Sequence, residues 1–158
     1  MSATAKGDAI VSVYYEPVGG RPYPGAWALR AVSSADELTA DLAARPDTCL
    51  IVLGPTVPFD EAVAFAARHR LQHPTAGLVL LRDEIRIDVL AEAMRAGIRE
   101  VVAVTEAETA DAACARSVEL SLRLGAALPA AGPAEAQVVT VFAGKGGVGK
   151  STVATNLA

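Results

Sequence analysis

The sequence predicts an α/β protein in which a mainly parallel five-stranded sheet lies between two layers of helix. Three observations lead there. Short, nearly continuous apolar runs recur at 49–53 (CLIVL), 77–81 (GLVLL) and 100–104 (EVVAV), as a strand requires when helices cover both of its faces. Between these runs lie segments with apolar residues at helical spacing, bounded by Pro and Gly. Strand and helix alternating in this way build a parallel sheet, because each right-handed crossover returns the chain in the same direction. The composition agrees: of 158 residues 52% are hydrophobic and 20% charged, a globular profile. That length suits one domain of ordinary size with a remnant of another.

The elements follow in order. Residues 9–15 (AIVSVYY) are β-branched and aromatic and run into the turn-forming Glu16-Pro17-Val18-Gly19-Gly20, which reads as a first strand. A second is expected over 27–32 (WALRAV). Ser34 and Glu37 then have capping-box spacing ahead of Leu38 and Leu42, opening a helix that Pro46 stops. After the strand at 49–53, Pro58 suits the first position of a helix carrying Phe59, Val63, Ala66 and Ala67, ended by Pro74. After 77–81, residues 87–96 are amphipathic through Leu90, Ala93 and Met94, and Gly97 is placed as a left-handed cap. After 100–104, Thr105 and Glu108 form a second capping box, and the helix they open runs to about Gly125.

One interval breaks the rhythm. Only 16–26 separate the first two strands, with three prolines and three glycines among them, whereas a parallel crossover normally needs about a dozen residues with a helix inside. The first helix is therefore expected to be missing or reduced to a loop. Tyr14, Tyr15, Tyr23 and Trp27 flank this loop, four of the seven aromatic residues in the chain. Tyr and Trp combine large contact area with a polar tip and are enriched in binding hot spots, which makes these four the interaction candidates. Packing as core beneath the missing helix is the alternative. A sheet face or edge left uncovered is available to another protein, a second copy included.

Charge and cysteine content exclude some classes. A net charge of −4 argues against a nucleic-acid surface, which relies on clustered Lys and Arg; Arg68-His69-Arg70 and 95–99 read as solvated helix faces. Cys49 and Cys114 stand in apolar contexts without further ligands at metal spacing, as expected of reduced, buried thiols. Residues 1–11 lack a signal peptide's apolar stretch and cleavage site, and no apolar run is long enough to cross a bilayer. A cytoplasmic protein is the expectation.

The C-terminal part has a different character. Residues 128–137 (LPAAGPAEAQ) lose periodicity and read as a linker between the domain at 1–127 and a new unit at 138–158. Residues 138–142 read as a strand, and 144–151 (GKGGVGKS) satisfy G-x-x-x-x-G-K-[ST] between that strand and a helix-compatible segment. In such a loop the backbone N–H groups of Gly144, Gly146, Gly147, Val148 and Gly149 converge on phosphate oxygens, and the helix N-terminus at Ser151 and Thr152 adds its positive end. Lys150 would contact the β and γ phosphates, and Ser151 would be a ligand for Mg²⁺. The string KGGVGKST resembles the deviant Walker A motif of the ParA/MinD family of ATPases. That resemblance, which covers about the last twenty residues, implies ATP as cofactor and makes Lys145 the lysine that reaches a partner's nucleotide across a dimer. Phosphoryl transfer also needs a Mg²⁺ carboxylate and a group that orients water, and nothing follows Ala158. The chain therefore reads as stopping shortly inside an ATPase domain, with ATP and Mg²⁺ bound only by the complete protein. A self-sufficient small NTPase is the alternative.

Upstream, the order of elements over 8–126 resembles a response-regulator receiver, a flavodoxin-like fold. AMRAGIREVVAV at 93–104 resembles the receiver-like domains that precede ParA/MinD-type ATPases in the CpaE/TadZ family. The resemblance implies a role in positioning pilus-assembly or septum-site machinery, recruitment to a cell pole or inner-membrane complex, and protein partners there, with a homodimer among them. A working receiver has an aspartate ending the third strand, an acidic pair after the first and a lysine after the fifth. This sequence has Gly54, Tyr15-Glu16 and Thr105-Glu106 at those places, so a non-phosphorylatable recognition module is expected. Asp60 and Asp83 are the nearest carboxylates, at positions where an acid stabilises a helix N-terminus. A competent receiver using one of them is the alternative.

Overall fold

The computed structural model describes residues 11–127; the predicted linker, the strand at 138–142 and the phosphate loop at 144–152 lie outside the described residues. The elements are β1 (Ser12–Tyr15), β2 (Arg30–Val32), α1 (Ala35–Ala44), β3 (Leu50–Leu53), α2 (Phe59–Gln72), β4 (Gly77–Arg82), α3 (Ile87–Ala96), β5 (Glu100–Ala103) and α4 (Ala107–Ala127). The strands form one sheet in the order β2-β1-β3-β4-β5, every neighbouring pair parallel. This is the flavodoxin-like three-layer α/β/α fold that the alternation predicts.

Because side chains alternate across a strand, each strand feeds two cores. Val13, Tyr15, Ile51, Leu53, Leu78 and Leu80 meet Leu38, Ala62, Ala66, Ala93 and Ala96 from α1, α2 and α3. Tyr14, Leu50, Val52, Val79, Leu81 and Val102 meet Ala110, Ala113, Cys114 and Val118 of α4. All four residues of β3 are buried, which explains an apolar run without polar alternation. The first crossover carries no helix: 16–29 run as turns and coil from β1 to β2. Among the described residues one face of the sheet thus has three helices and the other has α4, with Tyr23, Trp27 and Leu29 of the loop packed beside it.

Local expectations are corrected in several places. The second strand is three residues, Arg30–Val32, rather than 27–32, because the N–H of Trp27 goes to a carboxylate on α4 and not to a neighbouring strand. Ser34 Oγ accepts from Glu37 N at 3.1 Å, but the Glu37 carboxylate turns to Ser33 N and Oγ, at 2.7 and 3.0 Å, so the reciprocal half of the box is displaced by one residue. Pro58 is the cap of α2 rather than its first residue. α4 starts at Ala107, its cap being Glu106, whose carbonyl accepts from Ala110 N, not Thr105. Gly97 closes α3 at φ 107° as predicted, a conformation that favours glycine. Met94 is 58% exposed, since only the small Ala93 and Ala96 of α3 are buried. His69 and Arg99 are not solvated: His69 is 5% exposed, and Arg99 donates to Thr75 O, Ser117 O and Ser121 Oγ at 2.7–2.9 Å. Cys114 is buried, while Cys49 is half-buried. Among the described residues no helix is long and apolar enough to cross a membrane.

Candidate functional site

In open parallel sheets, ligands bind beyond the carboxyl ends of the strands, where the strand order reverses. Here that point lies between β1 and β3, and the residues leaving the strands are Glu16, Gly54, Arg82 with Asp83, and Thr105. Glu16 is 7% exposed. Its Oε1 accepts from Arg21 N and from Thr56 Oγ1, both at 2.9 Å, and its Oε2 from Thr56 N at 3.3 Å. The carboxylate so held lies over Gly54. A Cβ at position 54 would overlap Glu16 Oε2 and come within 2.7 Å of the Tyr14 hydroxyl. The place where a receiver carries its modifiable acid is therefore filled from β1 as well as lacking a side chain of its own.

Arg82 closes the same rim from β4. Its Nη1 donates to the carbonyls of Gly54, Pro55 and Leu81 at 3.1–3.3 Å, and its guanidinium stands 5.7 Å from the centre of the Phe59 ring. Burial pulls the Arg82 pKa down, opposed by Glu16 and Asp83. Asp83 grips Arg21 through both oxygens, at 2.5 and 2.6 Å, in an exposed pair. A Mg²⁺ ion needs several free oxygen ligands. These residues do not fit it, because the Glu16 oxygens face N–H and O–H donors and those of Asp83 face a guanidinium. Among the described residues no three His, Cys, Asp or Glu side chains are grouped to hold a metal. Asp60 lies exposed in the first turn of α2, where it favours the helix dipole.

The loop is tied to α4 through Asp111. Tyr23 Oη donates to Asp111 Oδ1 at 2.8 Å, Ala26 N to Oδ2 at 2.8 Å and Trp27 N to Oδ1 at 3.1 Å. These donors, the Ala26 N–H foremost, hold the Asp111 carboxyl below the usual carboxylate range. A Cβ at Gly25 would overlap the same carboxylate, so glycine is required for this close approach. Tyr14 Oη donates to Arg21 O at 2.8 Å, and its ring meets that of Tyr23 edge-on, centroids 5.8 Å apart. Burial pushes both phenols up. Between the loop and the β2 edge lies a groove of about 720 Å³ lined by residues that include Val18, Tyr23, Trp27, Leu29, Ala31 and Ser33.

Of the four aromatic candidates, three come together and one does not. Tyr14 is 4% exposed and forms the groove floor; Tyr23 and Trp27 are half-buried in its wall. Tyr15 points to the opposite face, where its hydroxyl donates to Glu61 Oε1 at 2.9 Å; burial, then this bond, push its pKa up to about 12. The sequence reading missed Arg21, Arg82 and Asp111 and left Glu16 without a role. The one available signal was Arg82, a charge ending the apolar run GLVLLR.

No protein-family model and no curated protein sequence matches the chain. Among solved structures it is similar to a pilus assembly-related protein from Burkholderia pseudomallei, with TM-score 0.52 and 16% sequence identity over 70% of this chain and 91% of that one. At this identity the likeness shows the fold.

Proposed function

We propose that residues 11–127 form a non-phosphorylatable, receiver-like recognition domain that serves pilus assembly by binding protein partners through the loop groove. The observation that carries the reading is Glu16 held over Gly54, which leaves the receiver position with neither acceptor nor metal ligands. The groove supports recognition in its place: it presents Val18, 87% exposed, and half-buried aromatic rings on a loop anchored at several points, the pre-organisation that lowers the cost of binding. The pilus-assembly setting is supported by the structural neighbour, a pilus assembly-related protein, and the parent ATPase of the CpaE/TadZ kind by the string KGGVGKST at 145–152. On this reading the domain places that ATPase at a cell pole or inner-membrane complex, and ATP and Mg²⁺ belong to the complete protein through 144–152.

Two experiments test it. Incubation with acetyl phosphate and Mg²⁺, followed by intact-mass measurement, should add no stable phosphoryl group; one added phosphoryl lost on Asp60→Asn or Asp83→Asn would overturn the reading. Val18→Asp, at an 87% exposed position, should reduce co-purification with pilus-assembly proteins at least tenfold without changing the melting temperature, and unchanged recovery would remove the groove from the proposal.

A further inference from the structure

At the other edge of the sheet, α3 carries an apolar face that is left open among the described residues. Only Ala93 and Ala96 of this helix are buried, while Ile87 is 87% and Met94 58% exposed and Leu90 and Ala91 are half-buried between them. At about 100° per residue these four lie within about 50° of one line along the helix. Their spacing, 87-90-91-94, reads the same in both directions about the midpoint between Leu90 and Ala91.

A stripe with that symmetry is complementary to itself. We infer that α3 pairs antiparallel with α3 of a second copy of this chain, Ile87 of each copy on Met94 of the other and Leu90 on Ala91. A two-fold axis through the midpoint generates the contact, an isologous interface that closes as a dimer.

The charges beside the stripe fit the same operation. Asp88 and Arg95 project on one flank, about 110° and 90° from the centre line. The two-fold preserves the flank and reverses the direction, so Arg95 of one copy lies within about 3 Å along the axis of Asp88 of the other. Arg86 projects on the opposite flank, where it and its symmetry mate are about 13 Å apart along the axis and do not oppose. Among the described residues Asp88 is ion-paired with Arg86, at 2.8 Å in an exposed pair, which is worth little and easily exchanged. The pairing leaves the loop groove at the β2 edge open and does not depend on what that groove binds.

Sedimentation equilibrium of the whole chain from about 10 µM to about 1 mM, the range of a small interface, tests the pairing. The wild-type chain should dimerise, and Ile87→Glu should weaken association at least tenfold with an unchanged circular dichroism spectrum. Asp88→Arg and Arg95→Asp should each weaken it about threefold, the effect of an exposed ion pair, and the two together should restore it. Mixing Ile87→Cys chains with Met94→Cys chains should give a mixed disulfide faster than either variant alone. A wild-type chain that stays monomeric over the whole range, charge reversals that merely add, or faster crosslinking within one variant would each overturn the inference.

Discussion

Gly54→Ala is the sharpest probe of the rim at the sheet's carboxyl edge. A methyl group at position 54 needs the space held by Glu16 Oε2, so the carboxylate must move. It cannot move freely, since it accepts from Arg21 N and Thr56 Oγ1 at 2.9 Å and is 7% exposed. A hydrogen bond to a charged acceptor contributes about 1.5–3 kcal/mol, and overpacking alone costs about 1–3 kcal/mol. With one good bond lost and modest strain, the substitution should cost about 3 kcal/mol. At about 3–4 °C per kcal/mol for a domain of this size, the melting temperature should fall by about 10 °C. Gly54→Asp, which reinstates the acid of a working receiver, should cost more, because it sets a second carboxylate against Glu16, and Mg²⁺ should not recover the loss. Urea denaturation of Gly54→Ala, Glu16→Ala and the double variant measures the coupling. The double variant should be more stable than the sum of the singles by at least about 1 kcal/mol. A Gly54→Ala protein within about 0.5 kcal/mol of wild type, or strict additivity, would refute the argument that Glu16 fills this position.

Other predictions concern the anchors and the buried histidine. Asp111→Ala removes the acceptor shared by Tyr23 Oη, Ala26 N and Trp27 N and should cost about 2–3 kcal/mol, with red-shifted Trp27 fluorescence and faster amide exchange over 17–29 than in β3. Because these donors hold the Asp111 carboxyl low, the anchoring is present above the ordinary aspartate pKa and is lost as pH falls through the lowered one. Burial, and then His73 beside it, bring the His69 pKa down to about 4. The unfolded chain takes up a proton below about 6.5 that the folded protein refuses until about 4, so this contribution is full above pH 6.5 and falls between the two values. The ceiling is about 3 kcal/mol, reduced to about 2 by solvent in a separate pocket that His69 lines together with Thr39, Leu42 and Ala43 of α1. Comparing melting temperatures at pH 7 and 4.5 for wild type and His69→Phe isolates the effect; equal slopes in the two proteins would show that His69 does not carry it.

The strands, most of the helices and the shortened first crossover were legible in the sequence, because the signals that specify them act over a few residues. A run such as LIVL has no alternation because both of its faces are covered, Gly97 supplies a left-handed turn whatever surrounds it, and Pro or Gly at six of the eleven positions 16–26 leaves no uninterrupted stretch for a crossover helix. The placement of side chains brought together from distant parts of the chain was not legible. Tyr14 and Tyr15 look alike in sequence, yet the two-residue period of a strand sends one to the groove and the other to Glu61 on α2. Asp111 reads as an ordinary helical acid until the fold carries it to Ala26, 85 positions away. Glu16 reads as the start of a turn until β1 and β3 pair and set its carboxylate over Gly54. Local periodicity therefore determines which segments become strands and helices, and only tertiary packing decides which polar groups meet, since a buried carboxylate takes its donors from whatever backbone the strand order places beside it.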